Sequence, residues 1–559
     1  MTEAAAISMA EADAALLAPG ARFEIALEVV CGREMMVFAN RAANLRDVLA
    51  SSAQYGDREV FVFDDGRRYT FTRHIELVAS VAAALRDRYG ITKGDRVAIL
   101  AANCPEWIIT FWAAVSLGAI AVGMNGWWQG EEILYGLELT EPKLLVADKK
   151  RIARLAGADP GVSALVIETD FAEMLREAPA ATLPDTPIGE DDPAVILFTS
   201  GTTGRPKGAI NTHRNVIAFL GLLAYSGARN MMMKPPQSPP QPMCAIVSNP
   251  LFHVSGLHAA AVGMIASGSK SVWTTGRYDP EKVMRLTEEE KVTRWGGVTT
   301  QIWRLIEHPN FDRYDHSTVQ SVGGGGSPWS PELQRLVRER LPHASRQLSI
   351  SYGRTECSAL ATMANEEMLR NDPNCAGRAL PTVELSILDS AGRPVPSREI
   401  GEIAIRGPMV MPGYWNAPEA TAATITSDGW LRTGDYGWLD DGMLSVVSRL
   451  RDMIIRGGEN VYPIEIENRL DKHPDVLESA VVGVPHRELG QEVKAIVVPR
   501  EGTTLSASAL QQWVAETLGY YKVPAHIEIR RDPLPRNATG KVMKHVLTGE
   551  APNPFVEDE

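Results

Sequence analysis

One stretch limits what this chain can fold into more than any other: Leu197-Phe-Thr-Ser-Gly-Thr-Thr-Gly-Arg-Pro-Lys-Gly208. The run Ala194-Val-Ile-Leu-Phe198 leading into it is apolar throughout and reads as a buried strand. Glycines at 201, 204 and 208 let the backbone turn tightly and bring its N–H groups close to a ligand. Thr199, Ser200, Thr202, Thr203 and Lys207 add hydroxyl and ammonium donors suited to phosphate oxygens. The expectation is a phosphate-gripping loop (Ser200, Gly201, Thr202, Thr203, Gly204) on the end of a buried strand. It is not a Walker A loop, which needs glycine before the lysine and serine or threonine after it. Here Pro206 precedes Lys207 and Gly208 follows.

Further strand-like runs at 95–100, 143–147 and 162–167 alternate with amphipathic stretches, which implies α/β layers. Residues 395–450 alternate polar and apolar with frequent glycines and read as a small β region, with strands at 401–406 and 443–447. After Arg451 the α/β pattern returns, with strands expected at 480–484 and 493–498. The expected boundary at Arg451 divides residues 1–450 from 451–559. The proline-dense stretch 231–242 is expected to be a loop. The uncharged run 107–124 touches the length of a membrane span. Pro105-Glu106 looks like a helix start and Gly118 like a break, so a buried helix followed by a buried strand is expected instead.

With 559 residues, the chain is too long for one core. A net charge of −13 and no long basic run disfavour nucleic acid as a partner, while leaving room for local positive sites. Five scattered cysteines (31, 104, 244, 357 and 375) argue for reduced thiols in a cytoplasm and against a zinc site. Residues 1–20 are acidic and alanine-rich and lack the positive start of a signal peptide.

More motifs follow the loop in order: Pro250-Leu-Phe-His-Val-Ser-Gly256, Ser351-Tyr-Gly-Arg-Thr-Glu356, Gly401-Glu-Ile-Ala-Ile-Arg-Gly407, Gly413-Tyr-Trp-Asn416, Trp430-Leu-Arg-Thr-Gly-Asp435, Ser448-Arg-Leu-Arg-Asp452, Gly458-Glu-Asn-Val-Tyr-Pro463 and Pro533-Leu-Pro-Arg-Asn-Ala-Thr-Gly-Lys541. The ordered set, from about residue 40 to the end, closely resembles the adenylate-forming superfamily of acyl-CoA synthetases, luciferases and peptide-synthetase adenylation domains, and most of all its fatty-acid–CoA ligases.

The resemblance implies an α/β fold: a large N-terminal domain of layered α/β subdomains plus a small β region, hinged to a small mobile α+β C-terminal domain. It implies an acid–thiol ligase that uses ATP, CoA and Mg²⁺. Lys207 and the loop 199–204 would hold the β- and γ-phosphates, and Glu356 with the Thr199 hydroxyl would hold the metal. Tyr352, Gly353, Thr355 and the turn Gly326, Ser327, Pro328 would face the nucleotide, with Ser327 where the family usually has alanine. Asp435, assisted by Arg449, would bind ribose. Lys541 would approach the carboxylate and α-phosphate during adenylation and withdraw for thioester formation. The hinge maps to Arg451, where Asp or Lys is usual, and Ser448 replaces a usual glycine. Gly457 and Gly458 would let the backbone approach the pantetheine of CoA.

His253 would line the carboxylate site, beside an acyl pocket of Gly256, Leu257, Gly323 and Gly324 in which the glycines leave room. His253 and His258 lack a third partner for a metal site. Peptide-synthetase domains usually carry aspartate at the place of His253, which disfavours amino acids. A roomy apolar pocket fits medium- or long-chain fatty acids best. Aryl, alicyclic or steroid side-chain acids are the alternative, followed by an acyl-AMP ligase acting on a carrier protein and by a catalytically dead scaffold. Peripheral membrane contact and a homodimer stay open.

Overall fold

Among the described residues, three sheets and a two-stranded ribbon organise the molecule. The structure is a computed structural model that describes residues 7–177, 181–199, 205–233, 242–449, 452–457, 459–537 and 540–549. Ser200, Gly201, Thr202, Thr203, Gly204, Arg451 and Gly458 lie outside the described residues.

The first sheet has six strands, in the order Lys207–Thr212, Pro193–Thr199, Ile120–Gly123, Arg96–Leu100, Leu144–Ala147, Ala164–Val166. All pair in parallel except the first two, which form a hairpin. The inner strands are buried on both faces, as parallel sheets covered by helices must be. The uncharged run resolves as expected: Pro105 opens the helix Pro105–Ser116, and the strand Ile120–Gly123 follows. Gly118 between them has φ +74°, a conformation that glycine adopts without strain.

The second sheet has thirteen strands. Its centre is parallel, with Ser321–Gly325 flanked by Arg294–Gly296 and Ser349–Tyr352. From Ser349–Tyr352 outward every pairing is antiparallel, through Thr362–Asn365 and Cys375–Ala379 to Met443–Arg449, Leu431–Asp440, Gly401–Arg406 and Glu384–Leu388. The small β region is therefore not a separate sheet. Its strands extend the large one, because Cys375–Ala379 pairs directly with Met443–Arg449.

The last sheet, of five strands, is built on the hairpin Val476–His486/Gly490–Pro499 and has its own apolar core with the helices Pro463–Leu470 and Ala507–Ala515. The observed class is α/β, with a large N-terminal body and a small C-terminal one.

One expectation needs correction. Met231–Met233 is not loop but the end of the helix His213–Met233. The first proline comes at 235, and residues 234–241 lie outside the described residues. That helix is long and apolar enough to cross a membrane by length and composition. Here Val216, Ile217, Phe219, Leu222 and Tyr225 bury one side of it in the protein interior.

Candidate active site

The hairpin at the sheet edge sets the first wall. Lys207 opens the returning strand directly opposite Thr199, the last residue of the outgoing one. The segment around Tyr414 pairs with this hairpin through Trp415 N to Gly208 O (2.8 Å) and Ile210 N to Gly413 O (3.1 Å). Tyr414 thereby stands between two site residues. The Lys207 ammonium lies 5.3 Å from its ring centroid, and its hydroxyl donates to Glu356 Oε1 at 2.8 Å.

Glu356 follows a strand and a glycine bend. The strand stops at Tyr352, and Glu356 follows in a short 3₁₀ turn, Thr355–Cys357. Gly353 permits the bend, since a Cβ there would meet Ala359 O at 2.1 Å. Glu356 is buried. Burial pushes its pKa up, but the Arg354 guanidinium and the Tyr414 hydroxyl outweigh that and hold it below the ordinary carboxylate value.

Arg354 bridges the two carboxylates of the site. Its Nε lies 3.4 Å from Glu356 Oε2 and its Nη1 3.3 Å from Asp435 Oδ2, and it also donates to Thr433 O. Burial opposes its charge, and the two carboxylates outweigh burial, so its pKa is raised. Asp435 is buried and takes further donors from Tyr352 Oη (2.8 Å) and Arg449 Nε (3.1 Å), the latter its partner across the strand pair.

Two more pieces complete the cleft. Gly326, with φ +84°, turns the chain into Ser327 and Pro328, and the Ser327 hydroxyl lies 2.7 Å from Thr299 Oγ1. Lys541 reaches this turn from the C-terminal domain, its Cε 3.7 Å from where a Gly326 Cβ would stand. Burial pushes the Lys541 pKa down to about 7, with the nearby Arg449 and Arg354 cations adding to it. Burial, and then Lys541, push His253 down to about 3. His253 is therefore neutral at physiological pH.

The cleft encloses about 2730 Å³. Its wall carries Thr199, His253, Gly323, Gly324, Gly326, Ser327, Pro328, Tyr352, Gly353, Thr355, Glu356, Asp435, Arg449 and Lys541. Lys207, Gly256, Leu257 and Gly457 are not on it. Leu257 is sealed in the core at 0% exposure, and Gly457 forms a hairpin tip with φ +59°.

The glycines have a different role from the expected one. A Cβ at Gly324 would meet Gly297 O at 1.9 Å, one at Gly323 would meet Ser349 O at 2.5 Å, and one at Gly256 would meet Pro250 O at 2.2 Å. They allow backbones to approach each other rather than hold a channel open. The apolar wall instead comes from Phe219 and Leu223 of the long helix, with Val254, Ala260, Met264 and Met363.

Sequence reasoning missed Arg354, Tyr414, Thr433, Thr299 and Thr300. The first three stood inside motifs, and an arginine between Gly353 and Thr355 was itself a signal. Thr299 and Thr300 carry no local signal. Among the described residues, no cluster of three or more His, Cys, Asp or Glu could hold a metal.

Comparisons with known proteins agree with this geometry. The AMP-binding enzyme family matches residues 48–415, and the AMP-binding enzyme C-terminal domain matches 465–541. A feruloyl-CoA synthase of an Amycolatopsis species is 34% identical over 495 residues, covering 86% of this chain and 93% of its own. A long-chain-fatty-acid–CoA ligase of Bacillus subtilis is 31% identical over 537 residues, covering 89% and 93%. ATP-bound MatB from Rhodopseudomonas palustris superposes with a TM-score of 0.78 at 29% identity, covering 91% of this chain and 99% of its own. The chain belongs to the AMP-binding enzymes and is an AMP-forming acid–CoA ligase.

Proposed function

We propose that the acid is apolar, best a medium- or long-chain fatty acid, and that residues 1–450 and 451–559 act as two domains around a hinge at Arg451. The observation that carries this reading is the convergence on one cleft of Lys541, the Tyr414–Glu356–Arg354–Asp435 network and an apolar wall beside neutral His253. A neutral imidazole lines a carboxylate site without adding charge to an apolar channel.

In the first half-reaction a carboxylate oxygen attacks the α-phosphorus of ATP and the bond to pyrophosphate breaks. Thr199 to Gly204 and Lys207 hold the outgoing phosphates. Tyr352, Gly353 and the 326–328 turn face adenine, Asp435 and Arg449 hold ribose, and Thr355 faces the nucleotide. Lys541 neutralises charge between carboxylate and phosphate. In the second half-reaction the CoA sulfur attacks the acyl carbon, the C–S bond forms, the C–O bond to AMP breaks and the thiol proton leaves. Lys541 must withdraw for this, and Gly457 and Gly458 would then meet pantetheine.

Glu356 is a buried, ionised carboxylate on the cleft wall, and Thr199 adds an oxygen donor. Two oxygens plus substrate phosphates suit Mg²⁺, which when bound would neutralise phosphate charge. The five cysteines are free thiols, which supports a cytoplasmic setting.

The feruloyl relative favours a second reading, an aryl acid. Pyrophosphate release, with and without CoA, across acetate to palmitate beside benzoate, cinnamate and ferulate tests both. Fatty acids should lead in kcat/KM; if an aryl acid beats every fatty acid, the second reading replaces the first.

A further inference from the structure

Arg536 touches three parts of the molecule at once. Its Nη1 donates to Gly540 O, the carbonyl just before Lys541, at 2.9 Å, and to Thr300 Oγ1 of the N-terminal domain at 2.7 Å. Its Nη2 pairs with Glu478 on the central hairpin of the C-terminal domain. Thr300 Oγ1 in turn donates to Gly540 O at 3.2 Å. Two further hydrogen bonds hold Lys541 to Asn537: Asn537 N donates to Lys541 O (2.9 Å), and Lys541 N donates to Asn537 Oδ1 (3.0 Å). Gly540 has φ +78°, and a Cβ there would meet Val298 Cγ2 at 2.8 Å, so Gly540 packs closely against the residue that precedes the helix Thr299–Ile306.

The first turn of that helix is shared. Thr299 holds the Ser327–Pro328 turn, through the Ser327 hydroxyl and by donating to Pro328 O at 2.8 Å, and its neighbour Thr300 holds the lysine turn. The serine at 327 supplies the hydroxyl that ties this turn to the helix. Lys541 is thus indexed to the same few atoms that set the position of Ser327.

We propose that Arg536 is the positioning residue of Lys541: with Thr300 it latches the lysine turn onto the N-terminal domain, and it serves adenylation alone. The proposal rests on the reading of Lys541 given above. Reaching three partners needs the planar fork of a guanidinium; a lysine at 536 keeps the Glu478 pair and loses the rest. The cost of losing the latch falls on the geometry of Lys541 and not on the walls that bind ATP or acid, so it belongs in kcat and not in KM.

The test uses full-length Arg536→Gln, Arg536→Lys, Thr300→Val and the double variant Arg536→Gln/Thr300→Val, with Lys541→Ala as reference. Two reactions are followed in single turnover. One is pyrophosphate release from ATP and the acid that wild type ranks first, dodecanoate on the fatty-acid reading or ferulate on the aryl one. The other is thioester formation from CoA and the synthetic acyl-AMP of that acid. Adenylation should slow roughly tenfold to a hundredfold in either Gln or Val single variant, the range of a lost hydrogen bond to a charged group. KM for ATP and acid should hold, thioester formation should stay within about twofold of wild type, and Arg536→Lys should recover only part of the rate. The double variant should lose less than the product of the two single losses, because the Arg536–Thr300 contact is common to both. Equal loss in both reactions, a loss confined to KM, full recovery by lysine, or multiplied losses in the double variant would each overturn the latch. If Lys541→Ala adenylates normally, the reading of Lys541 itself fails; if Lys541→Ala is dead while Arg536→Gln and Thr300→Val run at wild-type rate, only the latch fails.

Discussion

Docking of Lys541 should depend on pH in the protein without nucleotide, and the structure sets how strongly. The ammonium moves from the ordinary lysine value of 10.5 down to about 7, chiefly through burial and further through Arg449 and Arg354. At about 1.4 kcal/mol per pH unit, that costs the charged, docked form about 5 kcal/mol. The figure is an upper bound, because the side chain is half-buried rather than sealed. The docked state binds fewer protons than the undocked one, so docking is unpenalised above pH 10.5. It weakens as pH falls from there toward 7, and loses nothing more below 7. ATP should largely cancel this dependence, since its phosphates favour the ammonium in place.

Hydrogen exchange of the 533–544 backbone, corrected for intrinsic rates, reads the docked fraction between pH 6 and 9. Wild type should gain protection as pH rises, by at most about tenfold per pH unit. Lys541→Met carries no charge and should give a flat profile, and ATP should flatten wild type. A slope in Lys541→Met equal to that of wild type would assign the titration to another group, and a flat wild type would show that the ammonium is not desolvated.

Three further outcomes follow from the same contacts. Tyr414→Phe keeps the ring against Lys207 and removes the donor to Glu356 Oε1. Losing a hydrogen bond to a buried carboxylate is worth about 1.5–3 kcal/mol, so pyrophosphate release should slow roughly tenfold or more and the acid limb of its pH profile should move up. Gly324→Ala places a Cβ 1.9 Å from Gly297 O, and denaturant unfolding should show a loss at or beyond the upper end of the usual 1–3 kcal/mol or so for overpacking. Leu223→Trp fills the apolar wall instead. At about 0.8 kcal/mol per buried methylene, it should shorten the preferred fatty acid while leaving KM for ATP in place; an unchanged chain-length series would remove Leu223 from the acyl channel.

Much of the site was legible in the chain because its chemistry is local. An apolar run favours a strand, and a tyrosine, glycine and glutamate at fixed spacing favour a strand end and then a turn, and the structure puts Glu356, Asp435, His253 and Lys541 around one cleft. The strands at 95–100 and 143–147 and the helix–strand unit of 107–124 were readable for the same reason: apolar pattern and chain breakers act over a few residues.

Pairing and close approach were not readable. That the strands after 375 extend the large sheet depends on Cys375–Ala379 lying beside Met443–Arg449, a register nearly seventy residues apart that no local pattern specifies. Gly323, Gly324 and Gly256 were recognisable as glycines that something required. What required them, a neighbouring backbone rather than a ligand channel, exists only once the chain is packed. Arg354 offered a charge in the sequence, but its partners Glu356 and Asp435 are chosen by the crossing of two strand ends. Thr300 and Arg536, 236 positions apart, meet only because two domains are brought face to face. Local steric and apolar preferences act through neighbours in the chain and so are written in its order, whereas hydrogen bonds between distant segments are decided by which surfaces the whole fold presses together.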